Sequence, residues 1–184
     1  MPQPFDPSAY GPLIAELLAP ERLAPLGPGV PNDAARPKLA ALDGDRLLAP
    51  HSVRDRDMAR ACLAGLWLYH DFLDESHTIS QEIGSTTGSY WHGIMHRREP
   101  DASNAAYWFR RVGQHPVFEE LAEDARLLGL RLESSRWDPF AFIDLCEKHR
   151  GSGSPEEDLL RRVQRREWER LFDFSYRQAA GQSA

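Results

Sequence analysis

Residues 57–75, DMARACLAGLWLYHDFLDE, decide the fold. At 3.6 residues per turn, Met58, Ala61, Cys62, Leu63, Ala64, Leu66, Trp67, Leu68, Tyr69, Phe72 and Leu73 cover nearly the whole circumference of a helix. A helix apolar almost all round belongs at the centre of a protein. Gly65 in its middle leaves room for a neighbouring backbone to come close. Polar residues gather at its C-terminal end. His70, Asp74 and His77 stand at i, i+4 and i+7 and continue the stripe of Leu63, Leu66 and Trp67, so the spacing predicts a polar stripe that starts buried and emerges towards the helix end.

Helical patterns continue downstream. Thr78 and Gln81 have capping-box spacing for a further short helix. The stretch 84–89, GSTTGS, reads as a break, followed by a helix over 90–99 that Pro100 stops. Asp101 is a good N-cap for a helix over 102–112, which Gly113 ends. His115-Pro116 opens another through Leu128, Asp138-Pro139 one through His149, and Ser154-Pro155 a last one reaching Tyr176. No run shows period-two alternation. The expected fold is therefore all-α, a single-domain helical bundle around the buried helix over 57–75. Residues 1–53 are rich in Pro and Ala, with short amphipathic pieces at 13–18 and 38–42. They read as an irregular, partly mobile arm of short helices and turns that adds little to the core. The helical domain spans 54–178, and 179–184 read as a disordered tail.

A chain of 184 residues suffices for one domain with a proper core. Its net charge of -6, with acids and bases interleaved, argues against nucleic-acid binding, which needs a basic face. There is no run of 18 apolar residues, so no membrane span is expected. The first twenty residues lack a basic region and a long apolar run, so no secretory signal is expected. Cys62 and Cys146 fall inside apolar helical patterns and read as buried free thiols of a cytoplasmic protein. The oligomeric state is not legible.

Chemistry concentrates in 89–118, SYWHGIMHRREPDASNAAYWFRRVGQHPVF, and five of the seven histidines lie between His70 and His115. On the helix over 90–99, Tyr90, Trp91, Ile94 and Met95 share one face. His92, His96 and Glu99 share another, at i, i+4 and i+7, turned most of the way round. Facing them with His70, Asp74 and His77 from the preceding helix gives a His/carboxylate cluster able to hold a divalent transition metal. One straight helix cannot supply all three of its residues to one ion, because i and i+7 lie roughly 10 Å apart, so ligands must come from both helices. The His92-x-x-x-His96 pair carries Gly93 where a zinc peptidase needs its glutamate base, which removes that reading.

The arginines admit two readings. Arg97, Arg98, Arg110 and Arg111 flank Glu99-Pro-Asp101 and can pair with those two acids. Alternatively, Arg98 and Arg111, with Asn104 on the side of Arg111, form a pocket for a small anionic molecule. Arg98 lies within the apolar face of its helix, so burial with an acidic partner is expected. Glu167 lies in the stripe Leu160, Val163, Trp168, Leu171 and Phe172 of the last helix, and a glutamate on a core face pairs with Arg or His. The 84–89 loop lacks the lysine of a P-loop, and neither cysteine nor any serine stands in a nucleophile motif.

The strings YWHGIMHRREPDASNAAYWFRRVGQHPVF, WDPFAFIDLC and EWERLFDFSY resemble a family of uncharacterised, mostly bacterial proteins. The resemblance covers roughly 54–176 and implies no activity. The tract NAAYWFRR is also similar to a helix of Sel1-like and TPR-like repeats, but only one such unit is present. Together the residues predict a His/Arg/carboxylate pocket that binds a divalent metal, a small anionic ligand, or both. In an enzyme, His92 and His96 would be ligands or acid/base groups, with Arg98 and Arg111 orienting substrate. The alternative is a non-catalytic helical scaffold in which the same side chains form a structural ion-pair network.

Overall fold

The structure, a computed structural model, describes residues 5–19 and 21–182. Among these there is no strand, and the regular structure is helical. The N-terminal arm holds a 3-10 turn, Pro7–Tyr10, and three short helices, α1 (Pro12–Leu18), α2 (Arg36–Ala40) and α3 (Gly44–Leu48). The body follows as α4 (Arg56–Tyr69), α5 (Leu73–Ser80), α6 (Thr86–Arg98), α7 (Ala102–Val112), α8 (Val117–Leu128), α9 (Pro139–His149) and α10 (Pro155–Ala180). The all-α single-domain architecture matches the sequence pattern. Most N-termini carry the cap expected of them: Asp101 accepts from the Asn104 N–H at 3.1 Å, Asp138 from Phe140 at 2.8 Å, and Ser154 from Glu157 at 3.2 Å.

The expected helix over 57–75 is two helices. α4 ends at Tyr69 and α5 starts at Leu73, with Asp71 between them at φ +65°. This left-handed conformation is one that Asp tolerates better than most side chains. It directs the carboxylate to two guanidinium groups, those of Arg22 and Arg98. The break also separates His70 from Asp74 and His77, so these three do not form one stripe. The capping-box reading at Thr78 fails as well: Thr78 lies in the last turn of α5, and Gln81 is its C-cap.

A second helix shares the centre with α4. α6 starts four residues earlier than its periodicity suggests, at Thr86, because Ser85 caps it by accepting from the Gly88 N–H at 3.1 Å. All its residues from Thr87 to Arg98 are buried. The two helices meet at Gly65. A Cβ there would come within 2.7 Å of the Trp91 indole, so the glycine admits a side-chain ring, where a backbone was expected. The Gly65 carbonyl accepts from Trp168 Nε1 at 2.8 Å, tying α10 to the same point.

The arm belongs to the core, contrary to its expected role. Ile14, Leu17, Leu18, Leu26, Leu39, Leu47 and Leu48 are all buried. Each contributes roughly 1.5–3 kcal/mol by leaving water. The irregular stretch between α1 and α2 is fastened by side chains from the body, which satisfy backbone carbonyls that no helix serves. Arg98 donates to Gly27 O, Arg150 to Leu26 O, Gln164 to Pro25 O, Arg161 to Ala24 O and Arg165 to Arg22 O. The expected tail is also structured as far as it is described. α10 runs to Ala180, Ala179 is buried, and its carbonyl accepts from Arg54 N–H at 2.7 Å. Residues 183–184 of that tail lie outside the described residues.

Candidate metal centre

Helical spacing puts His92 and His96 one turn apart on α6, and their Nε2 atoms face each other at 2.9 Å. α5 packs against α6 and brings His77, in its last turn, to the same point. The His77 ring centroid lies 4.7 Å from that of His92 and 5.3 Å from that of His96. One nitrogen from each of the three rings falls within 4.8 Å of the other two. His92 is 1% exposed and His96 8%, whereas His77 is half-buried, so the cluster opens towards α5.

The remaining ring nitrogens, Nδ1 of His92 and Nδ1 of His96, are both buried without a hydrogen bond of good geometry. His96 Nδ1 faces the Glu99 carboxylate at 3.2 Å, three residues on at the end of α6. At His92, the Ser80 carbonyl favours a proton on the ring. Against His92 lies the indole of Trp108 from α7, stacked at 4.0 Å between centroids and 22° between planes. Burial, with His96 and His77 beside it, pushes His92 down to about 3. Burial also lowers His96, against the opposing pull of Glu99. Both imidazoles are therefore neutral at physiological pH, the form that binds a metal.

Of the six residues expected at a metal site, His77, His92 and His96 converge, with Glu99 behind His96. His70 does not join them: its Nδ1 meets Asn32 Nδ2 at 3.0 Å, and the ring faces the arm. Asp74 is exposed on α5 and outside the group. Glu99 occupies the far side of the His96 ring, where a carboxylate orients an imidazole ligand without touching the ion.

The anion pocket expected from Arg98, Asn104 and Arg111 is not assembled. Arg98 is 2% exposed, and its guanidinium is taken by Gly27 O and by Asp71 Oδ1 at 2.5 Å. Asn104 Nδ2 donates to Asp101 Oδ2 at 2.6 Å, and Arg111 is exposed with its guanidinium 5.3 Å over the Trp108 ring. Nor do Arg97 and Arg98 pair with Glu99 and Asp101. Arg97 reaches Glu167, both fully buried, and Tyr90 Oη donates to the same carboxylate at 3.1 Å. The acidic partner for Arg98 and the basic partner for Glu167, both anticipated, are thus Asp71 and Arg97.

Trp108 is the site residue that sequence reasoning missed. It lies between Asn104 and Arg111 on one stripe of α7 (i, i+4, i+7), a face that carries an aromatic ring among polar residues. Among the described residues, no helix is long and apolar enough to cross a membrane. No family model matches the chain, and neither a curated protein nor a solved structure does.

Proposed function

We propose that the protein binds one divalent transition-metal ion through His77, His92 and His96, with Glu99 fixing the orientation of His96. The observation that carries this reading is the convergence of three imidazole nitrogens from two helices within 4.8 Å of one another. Two nitrogens each about 2.05 Å from one ion stand about 2.9 Å apart at a right angle and about 3.3 Å apart at the tetrahedral angle. The 2.9 Å between His92 and His96 fits the lower of these, and the His77 nitrogen, within 4.8 Å of both, would have to move closer to become the third donor. The donors are all imidazole, a set that suits Zn, Cu, Fe or Ni better than Mg or Ca. Cys62 and Cys146, buried and unpaired, fit the reducing compartment in which we place the protein, the cytoplasm.

A purely structural reading is favoured by one feature. At 2.9 Å, His92 and His96 can hydrogen-bond each other directly, one Nε2 donating and the other accepting. Elemental analysis of protein purified without a histidine tag separates the two. Metal binding predicts close to one equivalent of transition metal, lost in His92→Ala and His96→Ala while the helical signal persists. Absence of metal, with no thermal shift on adding Zn, Mn, Fe or Ni, leaves the structural reading.

A further inference from the structure

We infer that the bound ion keeps an open coordination position, on the side of α5, that takes water or a small anion; this rests on the metal reading above. Transition ions in protein sites take four or more ligands, and a site closed by protein supplies them all. Three imidazoles leave at least one position to be filled. Among the described residues, no fourth His, Cys, Asp or Glu joins the group of three.

The two acids nearest His96 in sequence are both committed elsewhere. Glu99 faces His96 Nδ1. The two nitrogens of an imidazole point away from each other, so an oxygen on Nδ1 stands across the ring from an ion on Nε2. Asp101 caps α7: its Oδ1 accepts from Ser103 Oγ at 2.9 Å and Asn104 N at 3.1 Å, and its Oδ2 from Asn104 Nδ2 at 2.6 Å. Withdrawing that carboxylate would uncap α7.

Enclosure decides where the open position lies. α6 closes one side with His92 and His96, and the Trp108 ring lies flat on His92. His77, half-buried, is the most exposed of the three ligands, so an outside ligand approaches beside it. Three neutral imidazoles leave the full charge of the ion at that position. It attracts anions and acidifies a bound water, which on zinc falls to about pKa 7. An anionic ligand was expected at the arginines; the geometry moves it to the metal.

Cobalt(II) is the probe, because its visible absorption reports both binding and the ligand set. The full-length protein is loaded with cobalt, then titrated with azide and, separately, with acetate. The expected result is a visible spectrum lost in His92→Ala, with bands that shift saturably as azide is added. Asp74→Ala, which removes the exposed acid one turn before His77, should leave that shift unchanged. Cobalt bands that ignore both anions would mean a closed site, overturning this inference while the metal reading stands. A shift that changes in Asp74→Ala would make Asp74 the fourth ligand and overturn it equally. No cobalt spectrum at all would remove the metal reading itself.

Discussion

The indole of Trp108 lies flat against the imidazole of His92, with 4.0 Å between ring centroids. This contact joins α7 to the histidine cluster and puts a fluorophore beside it. Nickel(II) or copper(II) bound at Nε2 of His92 should therefore quench tryptophan emission. The chain has five tryptophans, so the quench is partial, and Trp108→Phe should remove most of it. Equal quenching in Trp108→Phe and wild type would place the ion elsewhere.

Glu99 should set the affinity of the site. A carboxylate on the far nitrogen of a metal-bound histidine fixes the ring and raises its basicity, and losing such a partner weakens binding about 10- to 100-fold. Glu99→Ala should raise the zinc dissociation constant by that factor in titration calorimetry, and Glu99→Gln, which keeps an acceptor, should recover part of it. Unchanged affinity in Glu99→Ala would show that Glu99 does not orient the His96 ring for a metal.

The Arg97–Glu167 pair is fully buried and should behave as such. Removing one partner strands a charge in the core, so Glu167→Ala should cost about 3–5 kcal/mol in urea unfolding. Replacing both, as Arg97→Met with Glu167→Leu, should recover most of that loss. A double variant as unstable as the single one would mean that the network, including Tyr90, contributes net stability.

The arm makes a prediction opposite to its composition. A chain beginning at Arg54 would lose Leu17, Leu26, Leu47 and the carbonyls that accept from Arg98 and Arg161, leaving the buried Arg98 with Asp71 alone. It should show no cooperative thermal transition. Within the full chain, Leu26→Ala should cost about 2–5 kcal/mol. A truncated chain that melts sharply would contradict this assignment.

Acid should destabilise the fold through buried neutral histidines. His115 accepts from the Val117 N–H at Nδ1, 3.3 Å away, and its Nε2 meets Thr87 Oγ1 at 3.2 Å, so the ring is held neutral with its proton on Nε2. Burial pushes it down to about 4. Burial, followed by the Arg22 charge, takes His70 to about 4 as well. The unfolded chain, with His near 6.5, takes up these protons first as pH falls. The stability each ring contributes is complete above about pH 6.5 and is lost towards pH 4, at up to about 1.4 kcal/mol per pH unit. Urea midpoints should fall less steeply over that range in His115→Gln than in wild type. Parallel slopes would show that His115 is not held neutral.

Helix type and most helix ends were legible because they depend on neighbours in sequence: Asp101, Asp138 and Ser154 cap the helices that follow them. The pair His92 and His96 was legible for the same reason, since a four-residue interval fixes a shared face. Partners across the fold were not. His77 enters the cluster through the packing of α5 on α6, and no periodicity distinguishes it from His70, which lies beyond a break set by the left-handed Asp71. The arm was misread because what holds it is supplied by Arg98, Arg150, Arg161 and Arg165, far along the chain. Its own sequence shows only prolines and scattered leucines.

Diffraction data collected at the metal absorption edge, from crystals grown with zinc, test the central claim most directly. One strong anomalous peak should appear, bounded by His77, His92 and His96, about 2.0–2.1 Å from a nitrogen of each. Density with no peak there, and His92 Nε2 bonded directly to His96 Nε2 in the presence of zinc, would contradict that claim.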